Sequence, residues 1–231
     1  MAKRFVYISN EQELGVIPVS IDFEWYSGYS VVQKQKSISS LHENFRKRFC
    51  EKKVLEISSK SNEKLGIELS AFNLKTKTLT NGIEYSVESA FQSSKIFEKG
   101  GPFKDLLQKT SREAKRDERL RNSGNLIGFN FFGADIPITP KTLFYDWLYI
   151  NVLLKNEKLK NDIMNYNSFT DIEFNEKRSI NCQAYSAALF VSLVRNKIDI
   201  SGIKNIRVFE NLVKPVYEKK IEQGKFIFTN E

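Results

Sequence analysis

Apolar and polar positions alternate along residues 4–9 and again along 17–25, which predicts two strands. Tyr26-Ser27-Gly28 is a turn signal between the second strand and residues 29–34, which read as a returning hairpin strand. The period then changes. Ile38, Leu41 and Phe45 recur at helical spacing and predict a helix over 37–49. Residues 54–58 read as a strand, and segments 67–73 and 79–85 flank an Asn81-Gly82 turn. From there helical spacing dominates. A helix over 86–99 closes at Gly100-Gly101, and one over 111–122 has Thr110 and Glu113 spaced as a capping box and Gly124 as its stop. The next is capped by Thr139, has Pro140 at its first position and runs to about residue 154. A short helix at 159–166, a strongly apolar one at 181–196 and a last one at 206–223, kinked or broken at Pro215, complete the chain. The pattern predicts an α+β protein, predominantly helical with small N-terminal β elements. Residues 1–60 read as an N-terminal β/α elaboration and 61–231 as the main domain.

Composition narrows the chemistry. With 231 residues, 41% of them apolar, the chain can bury a core, and its 18 Phe and 9 Tyr suit aromatic-lined clefts. His42 is the only histidine, so a His-cluster metal site and a Ser-His-Asp triad are disfavoured. Cys50 and Cys182 form no C-x-x-C, which argues against a zinc knuckle or disulfide framework and fits a reducing compartment. Neither a P-loop nor a dinucleotide fingerprint is present, which disfavours ATP use and hydride transfer, and no cofactor is expected. The longest apolar stretch, 184–194, falls short of the roughly 20 residues a bilayer demands, and the N-terminus lacks a signal-peptide apolar run. The expectation is a soluble cytoplasmic protein with no membrane partner. The net charge of +8 (36 Lys+Arg against 28 Asp+Glu) favours a polyanionic partner. Arg112, Lys115, Arg116, Arg119 and Arg121 are interleaved with Glu113, Asp117 and Glu118 and read as a salt-bridged solvated face. Arg46, Lys47, Arg48, Lys52 and Lys53 are less diluted and make the better phosphate-contact candidate.

The segment from Gly82 to Lys95 carries the most specific signal. Glu88, Gln92 and Lys95 fall at i, i+4 and i+7, on one face of the predicted helix. Such a row is either a plain solvated face or a set of groups flanking a polar ligand. Glu88 and Lys95, about 10 Å apart along a helix axis, are too distant for an ordinary i,i+4 pair. Trp147 reads either as a base-stacking residue or as core, and Asn181-Cys182-Gln183 either as backbone N–H donors to a pyrophosphate or as a simple N-cap by Asn181.

Leu69-Ser70-Ala71-Phe72, then Gly82, Tyr85, Glu88, Gln92 and Lys95, resemble the motif order of the NADAR superfamily (the YbiA-like fold): L-S-N-F, G-x-x-Y-x-x-x-E and Q-x-x-K. Ser111-Arg-Glu-Ala-Lys115 is similar to its S-x-x-A-K segment. The stretches Lys-Thr-Leu-Phe-Tyr-Asp-Trp-Leu-Tyr-Ile-Asn, Phe-Thr-Asp-Ile-Glu-Phe-Asn and Ser-Ile-Asn-Cys-Gln-Ala resemble the subgroup of NADAR antitoxins encoded beside DarT-type ADP-ribosyltransferase toxins. The chain departs from the pattern in places. Ala71 replaces an Asn, with Asn73 close by; Glu88 follows Tyr85 by three; a K-F-x-Q-N segment survives only as Asn156 and Leu159; and Asp171 lacks the Trp-Gly that ends D-x-x-W-G.

The resemblance implies hydrolysis of an N-glycosidic bond to ADP-ribose and, for the subgroup, removal of ADP-ribose from guanine bases in nucleic acid as an antitoxin. It implies Glu88, Lys95 and Asp171 as catalytic groups. Ser70, Phe72, Asn73, Gly82, Tyr85, Gln92, Lys115, Trp147 and Asn181 are the candidates for holding ADP-ribose or the base. The expected partners are ADP-ribosylated nucleic acid and a cognate DarT-type toxin, linked genetically or by contact. Two mechanisms stay open. A carboxylate at Glu88 can protonate a leaving group, activate water or stabilise an oxocarbenium-like charge, and an amine at Lys95 can form a Schiff base with an opened ribose. Two other functions stay open as well: an antitoxin that neutralises by direct binding, and an N-glycosidase acting on a small nucleotide metabolite.

Overall fold

The computed structural model describes residues 1–175 and 179–228, with side chains as far as residue 219. In chain order the elements are β1 (Ala2–Ser9), β2 (Val16–Phe23), α1 (Val31–Arg48), β3 (Val54–Glu56), α2 (Lys64–Glu68), β4 (Lys75–Lys77) and β5 (Glu84–Ser86). Next come α3 (Val87–Ser93), β6 (Lys95–Phe97), α4 (Ser111–Arg116), α5 (Arg119–Asn122), β7 (Leu126–Phe131) and β8 (Ala134–Ile136). The chain continues with α6 (Leu143–Leu154), α7 (Glu157–Asp162), β9 (Ser168–Thr170), α8 (Gln183–Arg195) and α9 (Ile206–Phe228).

Period-two alternation in β1 divides the interior. Val6 and Ile8 turn to one side of the sheet and pack with Ile21 and Phe23 of β2 and Ile38, Leu41 and Phe45 of α1. Tyr7, with Leu55 of β3 and Phe169 of β9, turns to the other side and joins the larger core. There Tyr7 meets Tyr185 of α8 edge-on at 5.8 Å. Helix α8 is buried from Ala184 through Leu193, as an all-round apolar helix must be.

The four-stranded sheet runs β2-β1-β9-β3. Strand β9 is antiparallel to β1 and parallel to β3. The first 60 residues thus share one sheet with a strand from residue 168 onward. Two smaller sheets, β4-β5 and β6-β7-β8, hold α3 between them in sequence.

The fold is mixed α/β, and the expectation of a predominantly helical chain understated its strands. Strands β6 to β9 are three to six residues long and too short to show a clear period. Other differences have local causes. Residues 29–34 do not return as a strand, because the Ser30 side chain accepts from Gln33 N–H and starts α1 six residues early. Residues 67–73 form the end of α2 and a turn, in which the Ser70 hydroxyl and Asn73 amide both donate to the Ile67 carbonyl. The 86–99 helix stops at Ser93, since the Ser93 and Ser94 hydroxyls bond back to the Ala90 carbonyl (3.0 and 2.7 Å). The 111–122 helix breaks at Asp117, whose carboxylate accepts from Arg119 N–H. Helix α6 begins at Leu143, beyond the Thr139-Pro140 start signal, and α9 runs through Pro215 unbroken.

Phe169 is fully buried in the central strand β9. Phe169→Ala is expected to lower stability by about 3–5 kcal/mol in urea denaturation. A loss below about 1 kcal/mol would show that β9 does not organise the core.

Candidate active site

A cavity of about 730 Å³ opens where α3, β6, α4, the segment 70–72, the residue after β9 and the start of α8 converge. Its position follows from how α3 is anchored. Ser86 and Ser89 form a reciprocal capping box that starts α3. The Ser86 hydroxyl lies 2.7 Å from that of Ser111 at the head of α4, and Ser111 donates to the Phe72 carbonyl at 2.7 Å. Glu88 N–H donates to the Ala71 carbonyl at 2.9 Å. Three chain segments are thereby fixed around Glu88.

Glu88 is only 5% exposed, and its Oε1 accepts from Gln92 Nε2 at 2.9 Å. Lys115 Nζ stands 3.7 Å from the same oxygen and 5.1 Å from the Phe72 ring centre. The bond to Glu88 uses the Gln92 amide nitrogen and turns the amide oxygen away. That Oε1 is buried and has no hydrogen-bond partner among the described residues, and the same holds for Asn181 Oδ1. Both residues line the cavity.

Lys95 is the first residue of β6, not part of the helix. Its ammonium lies 4.8 Å from the Phe91 ring centre. Its pKa is pushed down to about 8, chiefly by burial and further by the Lys115 charge, with Glu88 opposing. Asp171 lines the cavity just past β9, and its Oδ1 accepts from the N–H groups of Glu173 and Phe174 (3.0 and 3.2 Å). Burial, then the charge of buried Glu56, raises its pKa, against the opposing hydrogen bonds from Gln183 and Glu173. Glu56 itself is held by the Thr170 hydroxyl (2.6 Å) and Ile172 N–H (2.8 Å).

Eight of the residues singled out in sequence line this cavity: Glu88, Lys95, Asp171, Ser70, Phe72, Gln92, Lys115 and Asn181. Four do not. Asn73 donates to Ile67 and Ser70 and holds a turn. Gly82 sits in the β4–β5 turn at φ 66, a left-handed conformation that suits glycine. Tyr85 packs against Phe131 and Phe132. Trp147 stacks on Phe144 and donates its N–H to the Ile203 carbonyl at 2.8 Å, a core role. Asn181 does not cap α8, whose N-cap is Cys182 without a side-chain bond. The cavity also takes in Tyr145, Lys141 and Gln183. Gln183 bonds Ala71 N–H at 2.7 Å and so ties α8 to the 70–72 segment. The sequence offers Gln183 only as a backbone N–H donor and singles out neither Lys141 nor Tyr145, because the three side chains are assembled from separate elements. Among the described residues, no group of three or more His, Cys, Asp and Glu side chains is placed to hold a metal.

A family model described as the DarT1-associated NADAR antitoxin matches residues 2–223. The chain belongs to that family. Membership places it among antitoxins associated with DarT1, and the match takes in the N-terminal sheet as well as the cavity. No curated protein matches the chain. No helix among the described residues is long and apolar enough to cross a membrane.

The withdrawn Lys95 ammonium has a cost in stability. Its pKa in the folded chain, about 8, is below the ordinary 10.5, so below pH 8 the folded state holds a charge that the unfolded state holds more easily. Lys95→Met is therefore expected to raise stability by about 3 kcal/mol below pH 8. The gain should shrink between pH 8 and 10.5 and vanish above, as thermal denaturation across pH would reveal. A destabilised Lys95→Met protein at pH 7 would contradict the burial of that charge.

Proposed function

We propose that this protein is a glycohydrolase that removes ADP-ribose from guanine in nucleic acid, and that this activity counters a DarT1-type toxin. The observation carrying the reading is the convergence of Glu88, Gln92, Lys95 and Lys115 on one 730 Å³ cavity, with the Lys95 amine tuned to about 8. A lysine at that value is about one-tenth neutral at pH 7, several hundred times more than an ordinary lysine, as a nucleophilic amine requires.

The amine favours the Schiff-base route. Opening of the N-linked ribose converts the anomeric carbon and the base nitrogen into an imine. The Lys95 Nζ lone pair adds to that carbon and forms an aminal. A proton delivered to the base nitrogen lets its bond to carbon break, releasing guanine with its amino group restored. Lys95 then holds the sugar as a Schiff base. Water adds to the same carbon, the C–Nζ bond breaks, and ADP-ribose leaves as an aldehyde that recloses. Glu88 carries protons between these steps, since its carboxylate faces the same space and is positioned by Gln92. Lys115 balances the negative charge of Glu88 and suits an anionic diphosphate.

Turnover of a guanine-ADP-ribosylated oligonucleotide is expected to fall by about 10²–10⁴ in Glu88→Gln and at least as far in Lys95→Ala. Borohydride should trap a sugar adduct on the wild-type protein and none on Lys95→Ala. The rate should rise with pH, reach half its maximum near pH 8 and level off above that, following loss of the Lys95 proton. Near wild-type turnover by both variants would refute the assignment. In cells, Glu88→Gln is expected to fail to protect against the toxin. Full protection by that variant would favour neutralisation by direct contact.

A further inference from the structure

The edge of the cavity formed by α4 and α5 has an unbalanced charge. Lys115 and Leu120 line the cavity from this edge. Of the acids interspersed here, Glu113 and Asp117 are used locally, and Glu118 is exposed and offsets one of the arginine charges. Glu113 accepts from the Thr110 N–H and hydroxyl (2.9 and 2.7 Å), closing a capping box. Asp117 and Asp105 both grip Arg119 (2.8 and 2.7 Å). Arg112, Arg116 and Arg121 remain exposed, with no carboxylate within 4.0 Å among the described residues. Arg112 lies three residues before Lys115 and four before Arg116, the spacings at which helix side chains are neighbours. Like charges so placed repel, and an anionic partner relieves that repulsion.

The basic cluster favoured by sequence lies elsewhere. Lys47 donates to Asn44, Arg48 lies over Phe49 and Lys52 approaches Glu11 at 4.0 Å. None of the three lines the catalytic cavity.

The geometry points to the α4–α5 edge as the track for the sugar–phosphate backbone of a single-stranded nucleic acid whose modified guanine enters the cavity. The partner's cargo rests on the glycohydrolase reading; the track rests on the charge arrangement. Gln92 is 6% exposed and Lys95 is withdrawn, so a base must leave its stack to reach them, and a single strand presents one without the unpairing cost of a duplex. Four residues of helical rise, about 6 Å, separate Arg112 from Arg116 and let them meet neighbouring phosphates. The rim adds Ile138 and Ile180, 39% and 55% exposed, as apolar rests for flanking bases.

The test is fluorescence anisotropy with an unmodified single-stranded oligonucleotide, which reads the track even if the glycohydrolase reading fails. Arg112→Gln/Arg116→Gln/Arg121→Gln should weaken binding on the order of tenfold at moderate salt. Its slope of log affinity against log salt should fall by about 2, from three lost contacts at roughly 0.7 each. Arg46→Gln/Lys47→Gln should bind as wild type. In turnover, the triple variant should raise KM for a modified oligonucleotide and leave kcat/KM for ADP-ribosylated guanosine within about twofold. Wild-type binding and slope in the triple variant, or the loss appearing in Arg46→Gln/Lys47→Gln instead, would overturn the track. Absence of turnover on either substrate by the wild-type protein would overturn the glycohydrolase reading alone.

Discussion

The serine hydroxyls that begin and end α3 hold the candidate site together. Ser86 and Ser89 start the helix, and Ser93 and Ser94 bond back to Ala90 and stop it after seven residues. The early stop turns the chain into β6 and sets Lys95 on a strand whose partner, β7, brings Phe129 to the cavity. A helix continued to residue 99 would carry Lys95 along the same stripe as Glu88 but a full turn past Gln92. The strand instead places the amine in a pocket walled by Phe91, where burial lowers its pKa.

Charge compensation in that pocket follows from the same arrangement. Lys115 reaches Glu88 from α4, and α4 is fixed against α3 by the Ser86–Ser111 contact. Lys115 therefore acts in two ways: it neutralises the carboxylate, and it pushes the Lys95 pKa down. Removing the anchoring hydroxyls would disturb both effects at once.

Much of the site was legible because its central residues are close in sequence. Glu88, Gln92 and Lys95 share a spacing that pattern alone can detect, even though the element beneath Lys95 was read wrongly. Ser70, Phe72 and Lys115 came from motif resemblance, and Asp171 and Asn181 from stretches on either side of β9 and α8. Tyr145, Lys141 and the side-chain role of Gln183 were illegible, because each reaches the cavity only through tertiary packing. Tyr85 and Trp147 show the converse: aromatic residues beside a motif were offered as ligand contacts, and the core took them. In the fold, the longer elements were readable, β1 and β2 by their alternation and α6 and α8 by their sustained apolarity. Three-residue strands such as β9, paired with partners more than a hundred residues away, leave no local trace.

Two buried acceptors bear on what the cavity holds. Gln92 Oε1 and Asn181 Oδ1 have no partner among the described residues, and an unsatisfied buried polar atom costs about 1–3 kcal/mol. Both residues line the cavity, so a ligand that brings hydrogen-bond donors can pair them. Ribose hydroxyls and the N–H groups of guanine are donors, and a sugar linked to guanine offers both within one molecule. Under the proposed function, these donors would pair the two oxygens beside the acid and amine, a hydrogen-bond match separate from catalysis.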